Sequence, residues 1–456
     1  MSLSPTEPAD ILASKWIIDC LDIRLTQQTE CSPRIYCGSG SILQDKEGEL
    51  RLKLYHTYPS RKAQLDEIDH AFVGPKFTPG RIIEDHHYFS LEARDMAGRL
   101  WTEKNVWVEG KIDIGAVGRV IEIGLRKVTA QCARHEAEDK TVGHFLAFVH
   151  GNFKLPFNEI EKTATSSALS ICRLNVSGVA CLLMQRSDHV QVSTNVPEGM
   201  EAEEFSNRLL EALSIGVGRY IDPQIRAIVA GGVRFICVRS RKASDDSRKL
   251  LTPFPSENPH DSKSLNDFVA SYIAKISEPL SDMFGFWFRI LGEAGGQLEN
   301  KALVLTSCIE GVLKAYYPLV AKPDAEFLFQ VETSRETLKS VEMGSRVRER
   351  IEASLSSAKF GAPKGALYTL AHNGVISEAL VKLWIKLRNK AAHADQLRRT
   401  EEELQGFLDE VHGCMELFYA LLLHHVGYVG KYYQYSIREW PEGIRQLGQP
   451  LRLQDK

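Results

Sequence analysis

The hydrophobic period changes once along this chain, and that change limits what the chain can fold into. Up to about residue 240 apolar residues alternate with polar ones in short runs divided by turn residues, the pattern of half-buried strands; beyond about residue 264 they recur every three or four positions, the pattern of amphipathic helices. The expected fold is therefore α+β and multidomain, with a β-rich, sandwich-like N-terminal half followed by an all-α helical bundle. The switch falls in a stretch of Ser, Asp, Lys and Pro that includes Pro253, Pro255 and Pro259. We divide the chain into β-rich regions over 1–143 and 144–240, a linker over 241–263, a helical domain over 264–430 and a tail over 431–456.

In the first β region Gly40-Ser41-Ile42-Leu43 and Glu49-Leu50-Arg51-Leu52-Lys53-Leu54-Tyr55 flank Asp45-Lys46-Glu47-Gly48, and Tyr88 to Arg94 and Arg99 to Thr102 flank Asp95-Met96-Ala97-Gly98. Both predict hairpins. In the second, runs at Ala180–Met184, Val190–Thr194 and Val233–Val238 are interrupted by one helix over Glu201–Leu213. Periodicity leaves open whether the two regions form one body. Glu84, Asp85, His86 and His87 read as a polar turn rather than a metal site, because adjacent histidines on a strand point to opposite faces.

Past the boundary, Ser264 starts a helix with Leu265, Phe268, Tyr272, Ile276 and Trp287 on one face and a kink at Pro279. A helix over Leu298–Tyr316 follows, then a more polar helical region to about Phe360. Ser377 opens a helix with Leu380, Leu383, Trp384 and Leu387 inward, and Thr400-Glu401-Glu402-Glu403 is a capping box before a long last helix.

Nine scattered cysteines without a C-x2-C pair, no apolar run near the roughly 20 residues of a membrane span, and a start without a basic-then-apolar segment lead us to expect a cytoplasmic protein with no disulfide framework and no membrane association. Net charge is -3, so any nucleic-acid contact must come from a local patch. One candidate lies between Lys382 and Arg399, where Lys382, Lys386, Arg388, Lys390, Arg398 and Arg399 face Asp395 alone. Within it, Leu387-Arg388-Asn389-Lys390-Ala391-Ala392-His393 places a permanently charged fork suited to a phosphodiester five residues before a side chain that titrates near neutrality. The same residues also read as a solvated helix edge with a capping histidine.

The helix beginning Glu299-Asn300-Lys301-Ala302-Leu303 and centred on Ile309-Glu310-Gly311, followed by the Arg388 to His393 motif, resembles the HEPN superfamily, and most closely the Apea-like group of bacterial anti-phage proteins. The resemblance covers about residues 265 to 430. It implies a metal-independent endoribonuclease without cofactors, active in abortive infection, with Arg388, Asn389 and His393 catalytic and Glu299 and Glu310 supporting. Lys386, Lys390, Arg398 and Arg399 would contact RNA, tRNA being one candidate. The expected products are a 2′,3′-cyclic phosphate and a 5′-hydroxyl. It further implies a homodimer through this helix and a phage-derived trigger or regulatory protein. The alternative is a non-catalytic HEPN module that binds nucleotide or protein. Geometry adds a condition: five helical residues turn about 500°, so positions 388 and 393 lie roughly 140° apart and about 7.5 Å along the axis. Either the helix ends or bends between them, or two copies of the motif meet.

Overall fold

A computed structural model of the chain describes residues 7–66, 80–108, 118–133, 143–151, 153–162, 167–230, 233–241, 248–255, 262–277, 282–318, 320, 325–358, 363–393 and 400–446. The fold is α+β, a large antiparallel sheet over residues 17–239 followed by helices. After a short helix α1 (Glu7–Leu12), the first strands are β1 (Ile17–Gln27), β2 (Ile35–Gln44), β3 (Leu50–Thr57), β4 (Phe89–Asp95), β5 (Leu100–Val106), β6 (Gly118–Leu125) and β7 (Lys127–Ala133). They pair in the order β6-β3-β2-β1-β4-β5-β7.

Both expected hairpins form, and the same device closes them. Asp45 Oδ1 accepts from the backbone N–H of Glu47 and Glu49, at 3.1 and 2.9 Å, and Asp95 Oδ1 accepts from Ala97 and Arg99, at 2.9 and 2.8 Å. Gly48 and Gly98 supply the left-handed residue at the end of each turn, with φ of 84° and 79°. Alternation then buries one face, as in β3, where Leu50, Leu52 and Leu54 are inward. This sheet covers its apolar face largely by curling on itself. β6 and β7 are separated by Arg126 alone, Ser240 N–H donates to the Arg126 carbonyl at 2.9 Å, and Leu50 N–H donates to Ser240 Oγ at 2.8 Å. Trp16 and Trp101 meet edge to face at 5.3 Å inside.

The sheet continues through β14 (Val233–Arg239), β13 (Ile225–Ala230), β8 (His144–His150), β12 (His189–Asn195), β11 (Val179–Gln185), β10 (Ser167–Val176) and β9 (Glu159–Lys162). Here the second layer is helical. Helix α2 (Ala202–Val217) packs on β8 and β13, and α3 (Ser262–Lys275) on β10. Arg208 ties the helices together, Nη1 donating to the carbonyls of Ile273 and Ile276 at 3.3 and 2.7 Å, where α3 runs out of its own acceptors.

The same buried cluster runs without a break into the bundle of α4 (Asp282–Gly292), α5 (Leu298–Tyr316), α8 (Pro363–His372), α9 (Glu378–His393) and α10 (Glu401–His425). Between α5 and α8, α6 (Ala325–Ser340) and α7 (Ser345–Ala358) pack on each other. Of the 241–263 linker, residues 248–255 lie against the bundle: Phe254 is fully buried between Phe268 and Tyr428, and Tyr419 and Tyr435 donate to the carbonyls of Leu251 and Thr252. The tail forms a hairpin of β15 (Gly430–Tyr433) and β16 (Glu442–Arg445). Pro279 lies outside the described residues. Asp85–His87 is a single 3-10 turn ahead of β4. No helix among the described residues is long and apolar enough to cross a membrane.

Candidate functional site

Helix α9 starts where the sequence predicts. Gly374, with φ of 71°, ends α8, and Ser377 Oγ then accepts from Leu380 N–H at 3.3 Å. Leu380, Val381, Trp384 and Leu387 are buried, so the helix is clamped along one face and presents Lys382, Lys386, Arg388, Asn389 and Lys390 to solvent.

Arg388 is held from α5. Its Nε donates to Glu310 Oε1, its guanidinium carbon sits 5.7 Å from the centroid of the Trp384 ring, and its side chain keeps 49% of its accessible surface. One turn earlier on both helices Trp384 Nε1 approaches the Thr306 carbonyl at 3.5 Å, which fixes the register of α9 on α5. Gly311 follows Glu310, and a Cβ there would come within 2.4 Å of the Phe286 ring. The glycine in the Ile309-Glu310-Gly311 segment therefore lets α4 close onto α5 beside Glu310.

The anchoring uses Nε only. Among the described residues neither Nη of Arg388 has a protein acceptor, and the adjacent Asn389 amide makes no hydrogen bond to protein. A guanidinium fixed at its back and open at its front can take a phosphate or carboxylate in two-pronged fashion. Glu299 is not part of this arrangement. It lies in the first turn of α5, eleven residues and about 16 Å along the axis from Glu310.

The lysines of α9 are anchored by carboxylates as well as exposed. Glu410, on α10 and only 3% exposed, accepts from Lys390 Nζ at 2.7 and 2.9 Å and from Lys386 Nζ at 2.7 Å. Lys382 pairs with Glu378 at 3.0 Å. Lys382, Lys386, Arg388 and Lys390 of α9 thus each have a carboxylate partner, with three carboxylates shared among the four. Sequence reasoning missed Glu410 because it lies far along the chain from the lysines. The signal was available: Glu410 falls between Phe407, Val411 and Cys414 on the buried stripe of α10, where a carboxylate requires partners.

Helix α9 continues unbroken to His393, so it does not end between the two motif positions. The His393 side chain and the whole of Arg398 and Arg399 lie outside the described residues. No family model, curated protein or solved structure matches the chain.

Proposed function

We propose that the C-terminal bundle is a HEPN-type, metal-independent endoribonuclease of anti-phage defence by abortive infection, active in the cytoplasm, with the β-rich half sensing a trigger or restraining it. The observation that carries the reading is the mounting of Arg388: held through Nε by Glu310, set over Trp384, and open at both Nη groups beside a solvent-facing Asn389. In this reading Arg388 binds the scissile phosphate and offsets charge that builds on its oxygens, while His393 exchanges a proton with the 2′-hydroxyl or the leaving oxygen. The attacking 2′-oxygen closes on phosphorus and the 5′-oxygen leaves, giving the 2′,3′-cyclic phosphate. Because α9 is helical through both positions, which a regular helix sets roughly 140° apart, the reading requires a homodimer in which each pocket draws on both copies.

A second reading, a non-catalytic HEPN module for nucleotide or protein, is favoured by the pairing of Lys386 and Lys390 with Glu410, which gives both lysines a structural role within the fold. Induction of R388A and H393A, with end-mapping of cellular RNA against the parent chain, separates the two. The nuclease reading expects cyclic-phosphate ends and toxicity from the parent and neither from the folded variants. Variants that cut and kill at parental potency would leave only the binding module.

A further inference from the structure

A cavity of about 410 Å³ opens at the seam of the first curled sheet, where the end of β5 meets the β6–β7 turn and the segment leading into β4. Its walls hold Glu103, Asn105 and Trp107 from the end of β5, Asp85 and Tyr88 from ahead of β4, and Arg126 from the turn. Its size is that of a small-molecule site, and the mouth of a curled sheet is a usual place for one.

Glu103 decides what could bind. It falls on the inward face of β5 with Trp101 and Val106 and is only 6% exposed. Among the described residues no group donates a hydrogen bond to its carboxylate. Burial raises the pKa of this carboxyl against the opposing pull of Lys127, Arg126 and Arg239. With three cations already in electrostatic range, the carboxylate lacks hydrogen bonds rather than counter-charge. Asp85 and Arg126, both exposed, offset each other in the wall. The complement to this site is an uncharged group carrying N–H or O–H donors, not a cation.

The backbone beside Glu103 is shaped as well. Lys104 and Asn105 together oppose Ser90 alone, a bulge in which Asn105 takes a left-handed φ of 61°. Gln28 Nε2 donates to Asn105 Oδ1 at 3.1 Å and holds it there. Such strain in a non-glycine residue is typical of ligand sites. Two residues on, Trp107 meets Tyr88 edge to face at 5.6 Å, both half-buried, so aromatic rings flank the carboxylate's cavity. Aromatic walls accept a flat ring by stacking. Guanine is the common base that presents two adjacent donors, N1–H and the N2 amine, on one edge, and a carboxylate only accepts.

We propose that this cavity binds a guanine base, its N1–H and N2 amine donating to the Glu103 carboxylate and its ring lying against Trp107. The site is built from the β-rich half alone and stands whether or not Arg388 cuts RNA.

Calorimetry and thermal unfolding on the full chain test this with the 5′-monophosphates of guanosine, inosine and adenosine, which share one phosphate and differ in the base. Guanosine monophosphate should bind one-to-one and raise the melting temperature. Inosine monophosphate, lacking the N2 amine, should bind at least about 10-fold more weakly, because a hydrogen bond to a charged acceptor is lost. Adenosine monophosphate, without the donor pair, should bind more weakly still. E103Q keeps the side chain's shape and removes a buried charge, so the fold should survive it. That variant should weaken guanosine monophosphate at least about 10-fold and lose the preference over inosine monophosphate. R388A should bind guanosine monophosphate as the parent does, which keeps α9 out of the reading. No binding of guanosine monophosphate overturns the proposal. So does adenosine monophosphate binding as tightly, undiminished binding by E103Q, or loss of binding in R388A.

Discussion

The Arg388 guanidinium is fixed by the Glu310 carboxylate across the contact between α5 and α9 through Nε alone, so the side chain is aimed without being covered. Because Arg388 is about half exposed, the pair contributes at most about 1 kcal/mol to stability. Its value under the nuclease reading is positional. E310Q should keep the melting temperature within a few degrees of the parent and lower RNA cleavage by about 10- to 100-fold, as misaimed catalytic groups do. R388K, which keeps the charge and loses the fork, should be as inactive as R388A. Cleavage assays on purified protein beside unfolding curves check both, and full activity in E310Q would remove the positioning role.

Glu410 is a single buried carboxylate served by two lysines, which makes their contributions non-additive. Either K386A or K390A alone should cost under about 1 kcal/mol, because the other ammonium remains. The double variant leaves the carboxylate buried and alone and should cost about 3 kcal/mol or more. Urea unfolding of the four proteins in the cycle measures the difference.

Two adjacent histidines at the end of α10 make stability depend on pH. Burial, aided by Arg445 for His424 and by Lys275 for His425, pulls both down to about 4 from 6.5. The folded value lies below the unfolded one, so as pH falls the unfolded chain takes up protons first. The stability held by the neutral rings is therefore intact above about 6.5 and lost as pH falls toward about 4. Melting temperatures across that range should drop, and H424Q/H425Q should flatten the drop.

Gly218 ends α2 with φ of 69°, and a Cβ there would lie 2.4 Å from the Leu250 carbonyl oxygen. G218A should therefore cost about 1 to 3 kcal/mol, through backbone strain and loss of the Leu250 N–H to Gly218 carbonyl bond of 2.7 Å. Calorimetry on the variant reads this directly.

What could be read from the sequence was what neighbouring residues decide among themselves. The Asp-x-x-Gly turns at Asp45 and Asp95 and the Thr400–Glu403 capping box are local hydrogen-bond patterns, and all three are in place. The features that escaped the sequence depend on partners remote in the chain. Leu50 meets Ser240 where the first sheet curls closed, Lys386 and Lys390 meet Glu410, and the tail hairpin is seated by Tyr435 on Thr252. At the candidate site, the sequence placed Arg388 and Glu310 on helices that do touch, but placed Glu299 with them, since matching to a helix says nothing of which turn faces the neighbour.

The unbroken core linking the second half of the sheet to the bundle makes the helical region a poor candidate for excision. A fragment over 264–430 would bare Leu265, Phe268, Tyr272 and Ile273, all buried in the whole chain, along a strip that has no polar skin of its own. Such a fragment should aggregate when expressed alone, as light scattering would record. Proteolytic release of the bundle would then be a route to destruction rather than to a free-standing domain.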